Sequence, residues 1–109
     1  MKIAVVSTDS VEVDDWFGKA TRFLIYEVDG QGATFIAERD SEPLPDDFFD
    51  AGMLNSVVDV ISDCDRVYLA NIKEKSAKAL ERRGIMPVVY SGPIIGIDSF
   101  YPSETSQRI

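Results

Sequence analysis

Histidine is absent from the 109 residues, and cysteine occurs once, at Cys64. Without an imidazole, no Ser–His or Cys–His nucleophilic pair can form, because nothing is placed to take the proton. A lone thiol also excludes an internal disulfide and any Cys₄ or Cys₂His₂ metal site. A Gly-rich phosphate loop is missing as well. Positive charge is scarce: 11 Lys and Arg face 19 Asp and Glu, for a formal net charge of −8. A surface of that sign repels phosphate backbones, so no nucleic acid partner is expected. Long apolar runs are lacking too. Ile3-Ala4-Val5-Val6 is too short for a signal-peptide core, and nothing approaches the roughly 18 residues of a membrane helix. The expectation is a cytoplasmic, soluble protein with no membrane partner.

What is present suits one globular domain, with 45% hydrophobic residues. Lys2 to Ser7 reads as a strand buried on both faces. Arg22 to Asp29 is a second strand, and Asp29-Gly30-Gln31-Gly32 is a tight-turn signal leading into a third, Ala33 to Arg39. Simple alternation puts Phe35 and Ala37 on one side of it, Thr34 and Ile36 on the other. Ser41-Glu42-Pro43-Leu44-Pro45 is a stiff linker. Phe48, Phe49, Met53, Val57, Val60 and Ile61 recur at helical spacing, which predicts a helix from Phe48 to Ser62.

Asp65 to Ala70 returns to strand. Glu74 to Arg83 reads as a helix with Ala77 and Leu80 inward, capped at its end by Gly84. Met86 to Tyr90 is the last strand, Pro93 to Tyr101 a short final helix, and residues 102–109 a polar tail beyond a domain spanning 1–101. Two hairpins followed by two crossover units, each right-handed by rule, give an α/β fold. Its mixed five-strand sheet has the order 3-2-1-4-5, with strand 2 antiparallel.

Several segments carry a family resemblance. Asp14-Asp15-Trp16-Phe17-Gly18-Lys19-Ala20-Thr21-Arg22-Phe23-Leu24-Ile25-Tyr26-Glu27-Val28 follows the opening strand. Asp63 to Ile72 is a strand entering a turn, and Ala77 to Val88 is a helix leading into a strand. Together they resemble the dinitrogenase iron–molybdenum cofactor-binding family of small nitrogenase accessory and cluster-carrier domains. The likeness spans about residues 1 to 101. It implies a ribonuclease-H-like three-layer fold and a non-enzymatic protein that carries iron–molybdenum cofactor or another metal–sulfur cluster. Metallocofactor-assembly or nitrogenase-related proteins would be its partners. The family usually shows histidine directly before Phe-Gly, where Trp16 stands here, and glycine after Ile72, where Lys73 stands.

In open α/β sheets, ligands collect beyond the C-terminal ends of parallel strands. Those ends carry Asp9 and Ser10, Asn71 and Lys73, and Ser91 and Gly92, with Trp16, Phe17, Gly18 and Lys19 close to the first pair. The helix after Lys73 directs its amino end there, so its N–H groups, with Lys73 and Lys75, can hold an anion. Phe17 is read as a core anchor, and Gly18 as a backbone position closed to other residues. Asn71 and Ser91 also suit ordinary turn roles. Cys64 is the best cluster ligand by chemistry, yet it precedes its strand and belongs to the opposite edge. A nuclease would need converging carboxylates; Asp9 suits one, but Asn71 stands where a second is needed. The competing reading is a ligand-free interaction or regulatory module, pairing through the edge strand Ala33 to Arg39.

Overall fold

Alternation, turn chemistry and two amphipathic helices assemble into one mixed sheet. The computed structural model describes residues 1–44 and 51–97. Its elements are β1 (Lys2–Val5), β2 (Glu12–Val13), β3 (Arg22–Asp29), β4 (Gly32–Asp40), α1 (Ala51–Val60), β5 (Arg66–Leu69), α2 (Glu74–Arg82), β6 (Met86–Val89) and β7 (Gly92–Pro93). Two 3₁₀ turns lie at Phe17–Lys19 and Ile94–Gly96. The main sheet runs β4-β3-β1-β5-β6, and β2 pairs with β7 in a separate ribbon. β3 is antiparallel to both neighbours, while β1, β5 and β6 are parallel. The mixed five-strand sheet and two crossover helices were expected. Phe48, Phe49, residues 98–101 of the expected final helix, and the tail fall outside the described residues.

Both helices cover one face. Leu54, Val57, Val58 and Ile61 of α1 and its following turn share a cluster with Ala79 and Leu80 of α2 and with Ala4, Ile25, Val67 and Leu69 of the sheet. The opposite face buries Ile3, Val5, Leu24, Val28 and Tyr68 under Val13, Ile94 and Ile97. Among the described residues that second layer is the β2–β7 ribbon and a 3₁₀ turn, with no α-helix. The expected final helix therefore gives way at its start to β7 and a 3₁₀ turn. Gly92, at φ +140°, bends the chain there.

Several local expectations need correcting. β1 and β3 are neighbours but not a tight hairpin, since residues 6–21 lie between them and include β2. Ile25 pairs with Ala37 and Tyr26 with Phe35, so Ile36 is an extra residue in β4. That bulge breaks the period of two. Phe35 consequently joins Tyr26 on one face, with rings 5.5 Å apart, while Ala37 packs on the helix side. In α2 the buried side chains are Ser76, Ala79 and Leu80, and Ala77 is only half-buried. Met53 points outward, because α1 meets the sheet through Leu54, Val57, Val58 and Ile61.

Where α2 ends, Gly84 N–H donates to Glu81 O and Ile85 N–H to Leu80 O, both at 3.0 Å. Gly84 has φ +78°. This is a Schellman motif, and the apolar contact that usually accompanies it is supplied by Leu80 and Ile85 in the core.

At the edge where the parallel strands begin, Asp63 accepts from both terminal nitrogens of Arg39, at 2.7 and 3.0 Å, and from Lys2 Nζ at 3.2 Å. Arg39 also donates to Val60 O at 2.9 Å. One carboxylate thus ties edge strand β4 to the turn after α1 and to β1. The Arg39 hydrogen bonds, helped by Lys2, hold the Asp63 carboxyl well below its ordinary range despite partial burial.

A carboxyl depressed on folding adds stability above its ordinary pKa, about 3.9, and loses that contribution as pH falls toward its folded value. Because this pair is partly solvated, Asp63→Asn is expected to cost about 0.5–1 kcal/mol at neutral pH. In urea titrations, the gap between wild type and variant should be flat from pH 5 to 8 and close below about pH 4.

A second expectation concerns Gly96. A Cβ there would lie 2.6 Å from the Tyr90 hydroxyl oxygen, which donates to Pro93 O at 2.6 Å. The hydroxyl can give way only by leaving Pro93 O, so Gly96→Ala is expected to cost about 0.5–1.5 kcal/mol, the worth of that hydrogen bond. Tyr90→Phe removes both the clashing oxygen and that bond, so Gly96→Ala should cost little more in the Tyr90→Phe background, measured by thermal or chemical unfolding.

Candidate functional site at the strand-end rim

The ladder between β1 and β5 is interrupted and then resumed by a different stretch of chain. Val6 N–H donates to Tyr68 O at 2.9 Å, after which the chain leaves the sheet. It returns at Asp15–Phe17. Ala70 N–H donates to Asp15 O and Phe17 N–H to Asn71 O, each at 2.9 Å, so Trp16 and Asn71 form a parallel bridge. The Trp16–Lys19 turn and the Asn71–Lys73 turn thereby share one rim.

The excursion from Ser7 to Asp14 is held by its own side chains. Asp9 Oδ1 accepts from Val11 N–H at 2.9 Å, Glu12 N–H at 3.0 Å and Ser7 Oγ at 3.2 Å. The Glu12 and Val11 N–H groups lower the Asp9 pKa. Ser7 Oγ accepts from Ser10 N–H at 2.9 Å, and Ser10 sits at φ +66°. Asp14 accepts from the Thr8 N–H and hydroxyl, at 2.9 and 2.5 Å. Arg22, the first residue of β3, reaches under the loop to Ser7 O and Thr8 O at 3.3 Å and to Ser10 Oγ at 2.8 Å.

Phe17 is fully buried, its ring 5.8 Å from that of Phe23. It fixes the turn and offers the rim position rather than contact. Trp16 next to it is 37% exposed. Gly18 does not have the role expected of it. Its φ is not positive, and a Cβ would meet Leu44 at an ordinary 3.7 Å. What Gly18 supplies is its carbonyl, which accepts from Leu44 N–H at 2.6 Å and pins the linker beside the turn.

Across the bridge, Asn71 Oδ1 accepts from Ile72 N–H at 2.8 Å, and Lys73 is the residue before α2. Lys73 gives α2 no side-chain cap, and Glu74 in the first helical turn pairs with Lys78 at 3.5 Å. Ser91 and Gly92 join the same edge through the ribbon, where Gly92 pairs with Val13 and Ile94 N–H donates to Val11 O at 2.8 Å. The structure therefore brings Asp9, Ser10, Trp16, Phe17, Gly18, Lys19, Asn71, Lys73, Ser91 and Gly92 to one edge. The Asp9 carboxylate is already used as a turn acceptor, and Lys19 is exposed at the end of its turn.

Cys64 lies at the opposite edge, where it precedes β5. It is 4% exposed, and burial, reinforced by the Asp63 charge, pushes its thiol up to about 12. A thiol held protonated in this way is a poor metal ligand. Among the described residues no three acidic or sulfur side chains gather where they could hold a metal ion. A groove of about 330 Å³ lies between residues 40–44 and α1, lined by Leu44, Met53, Val57 and Val60 among others. No candidate residue lines it.

Sequence reading missed Arg22, Asp14 and Tyr90. Arg22 acts on backbone groups 14 and 15 residues away, which neither period nor spacing encodes, while Asp14 and Tyr90 hold turns six and three residues from themselves.

The family model and the curated relatives agree on one lineage. The family model described as dinitrogenase iron-molybdenum cofactor matches residues 1–96. The FeMo cofactor biosynthesis protein NifB of Frankia alni is 34% identical over 90 residues, and that of Herbaspirillum seropedicae is 30% identical over 87. Each match covers 79% of this chain but only 18% and 17% of the relative, so the chain spans less than a fifth of those proteins' length. Among solved structures, PH0822 aligns with TM-score 0.64 at 17% identity, covering 82% of this chain and 78% of that one. A Thermotoga protein of the DUF35 family aligns at 0.60 and 17%, covering 87% and 80%. These two likenesses speak to the fold alone. With a family model spanning both turns of the rim and nearly all of the sheet, the chain belongs to the dinitrogenase iron-molybdenum cofactor family.

Proposed function

We propose that this chain is a non-enzymatic binding protein that holds a metal–sulfur cluster, iron–molybdenum cofactor or a related anion, at the strand-end rim. The observation that carries the reading is the Trp16–Asn71 bridge, which joins two turns far apart in sequence into one surface. Family membership supports the class of cargo. Lys19, Lys73 and Lys75, together with the amino end of α2, supply positive potential there. The mixed sheet is of the kind found in ribonuclease-H-like folds, to which we assign the chain.

The donor set bears on how cargo would be held. The rim has no histidine and no cysteine, and the buried Cys64 thiol is at the other edge. Cargo would therefore be gripped by charge and hydrogen bonds to its outer atoms, with an indole alongside, and not by metal–ligand bonds. Such binding is reversible and salt-sensitive, which suits carriage and hand-over. Metallocofactor-assembly or nitrogenase-related proteins in the cytoplasm would be the donors and acceptors.

A second reading, a protein-interaction module, is favoured by the exposed Trp16 indole on a turn tied down on both sides. Tryptophan is enriched at binding hot spots.

Anaerobic equilibrium dialysis against tetrathiomolybdate, a small molybdenum–sulfur dianion, tests the carrier reading. Saturable uptake is expected, with metal and visible absorbance co-eluting with protein. Lys19→Ala and Lys73→Ala should each weaken it about two- to fivefold. Trp16→His, which adds an imidazole at the rim, should strengthen it. Protein that stays colourless with both the probe and isolated iron–molybdenum cofactor would sink the carrier reading and leave the interaction module.

A further inference from the structure

The excursion from Ser7 to Asp14 must return the chain so that Trp16 lands beside Asn71. It does so through Ser10, a residue other than glycine held in the left-handed region at φ +66°. L side chains avoid that region unless neighbours fix them there. Two groups do so. Ser7 Oγ takes the Ser10 N–H, and Arg22 takes the Ser10 hydroxyl oxygen at 2.8 Å. Arg22 also donates to Ser7 O and Thr8 O, each at 3.3 Å. On its far side its guanidinium pairs with Glu38 of β4 at 3.3 Å. The Arg22 side chain is 23% exposed. A planar fork with fixed donor directions can bind three groups of one turn at once, which a flexible ammonium cannot.

We infer that Arg22 is the positioning residue of the rim: it acts through the Ser7–Ser10 turn to set where the Trp16–Lys19 turn meets Asn71, and it links that geometry to edge strand β4 through Glu38. Its functional meaning rests on the carrier reading above; its geometric meaning does not. Arg22 itself does not face the cargo, because its donors are directed at the turn and at Glu38.

The test compares Arg22→Ala, Arg22→Lys and Glu38→Gln in the full chain. Amide hydrogen exchange, Trp16 fluorescence and tetrathiomolybdate affinity are measured for each. In Arg22→Ala, the Ser10, Val11 and Glu12 amides should exchange at least tenfold faster, while those of Val5, Val67 and Leu69 stay unchanged. Trp16 emission should shift and probe affinity should fall about tenfold. Arg22→Lys keeps the charge but not the fork, so it should restore the Glu38 pair without restoring loop protection or affinity. Glu38→Gln should show the same changes at reduced size.

Unchanged exchange at residues 10–12 in Arg22→Ala would overturn the inference. So would full rescue by Arg22→Lys, which would make the residue a point charge only. If wild type does not take up the probe, the carrier reading fails, and exchange and Trp16 emission still decide the role of Arg22. If Arg22→Ala does not fold, Arg22→Lys and Glu38→Gln decide it by the same readouts.

Discussion

The parallel ladder on the outgoing end of β5 is the constraint on which the rim depends. β1 supplies it as far as Tyr68, and a second stretch of chain, Asp15–Phe17, supplies it from Ala70 onward. A buried strand end with unpaired N–H and C=O groups is costly, so something must occupy that place. By using a returning loop rather than a longer β1, the fold obtains an exposed turn rigidly registered against the turn before α2. Phe17 in the core and the Gly18 carbonyl under Leu44 hold the other side of that turn. If the register slipped by one residue, Phe17 would face solvent and Trp16 would face the core.

The acidic composition looks hostile to an anionic cargo until the carboxylates are followed individually. Asp9, Asp14 and Asp15 all accept backbone N–H groups within or beside the excursion. They satisfy the backbone donors of a loop that leaves the sheet, as Asx turns do. Their charge is still felt by an approaching ion, but screening confines it to about 8 Å at physiological salt. For the carrier reading to hold, Lys19 and the amino end of α2 must outweigh those carboxylates at contact distance.

Much of the scaffold could be read in the sequence, because its signals are periodic and local. The apolar run of β1, the turn at Asp29–Gly32 and the glycine stop after α2 each state their own geometry. Errors arose where one residue breaks a period or where a distant contact decides. Ile36 inserts one residue and moves Phe35 to the other face from Ala37. Gly18, set in a recognisable motif, is not conformationally special, whereas Gly96, read only as a weak point in a helix, lies against the Tyr90 hydroxyl. The grouping of the rim turns was readable from topology alone, since parallel strand ends must share an edge. What fixes their mutual distance was not, because Arg22 reveals itself only through bonds to residues 12 to 15 positions away.

The two sheet edges narrow how a partner can engage this fold. β4 is long and lies at one edge, but it carries the Ile36 bulge and ends in Glu38, Arg39 and Asp40. Bulges and charges are the usual means of stopping strand addition. β6 forms the other edge. Met86 N–H and Tyr90 N–H point inward to Asp65 O and Leu69 O. By alternation, the Pro87 nitrogen, which lacks a hydrogen, points outward. Neither edge then offers a regular row of donors to a visiting strand, so pairing through Ala33 to Arg39 loses its main attraction. Among the described residues, the strand-end rim is where the exposed Trp16 and Lys19 lie on one turn. The two proposed readings thus draw on one surface, so on the carrier reading a docked protein and the cargo would compete for it.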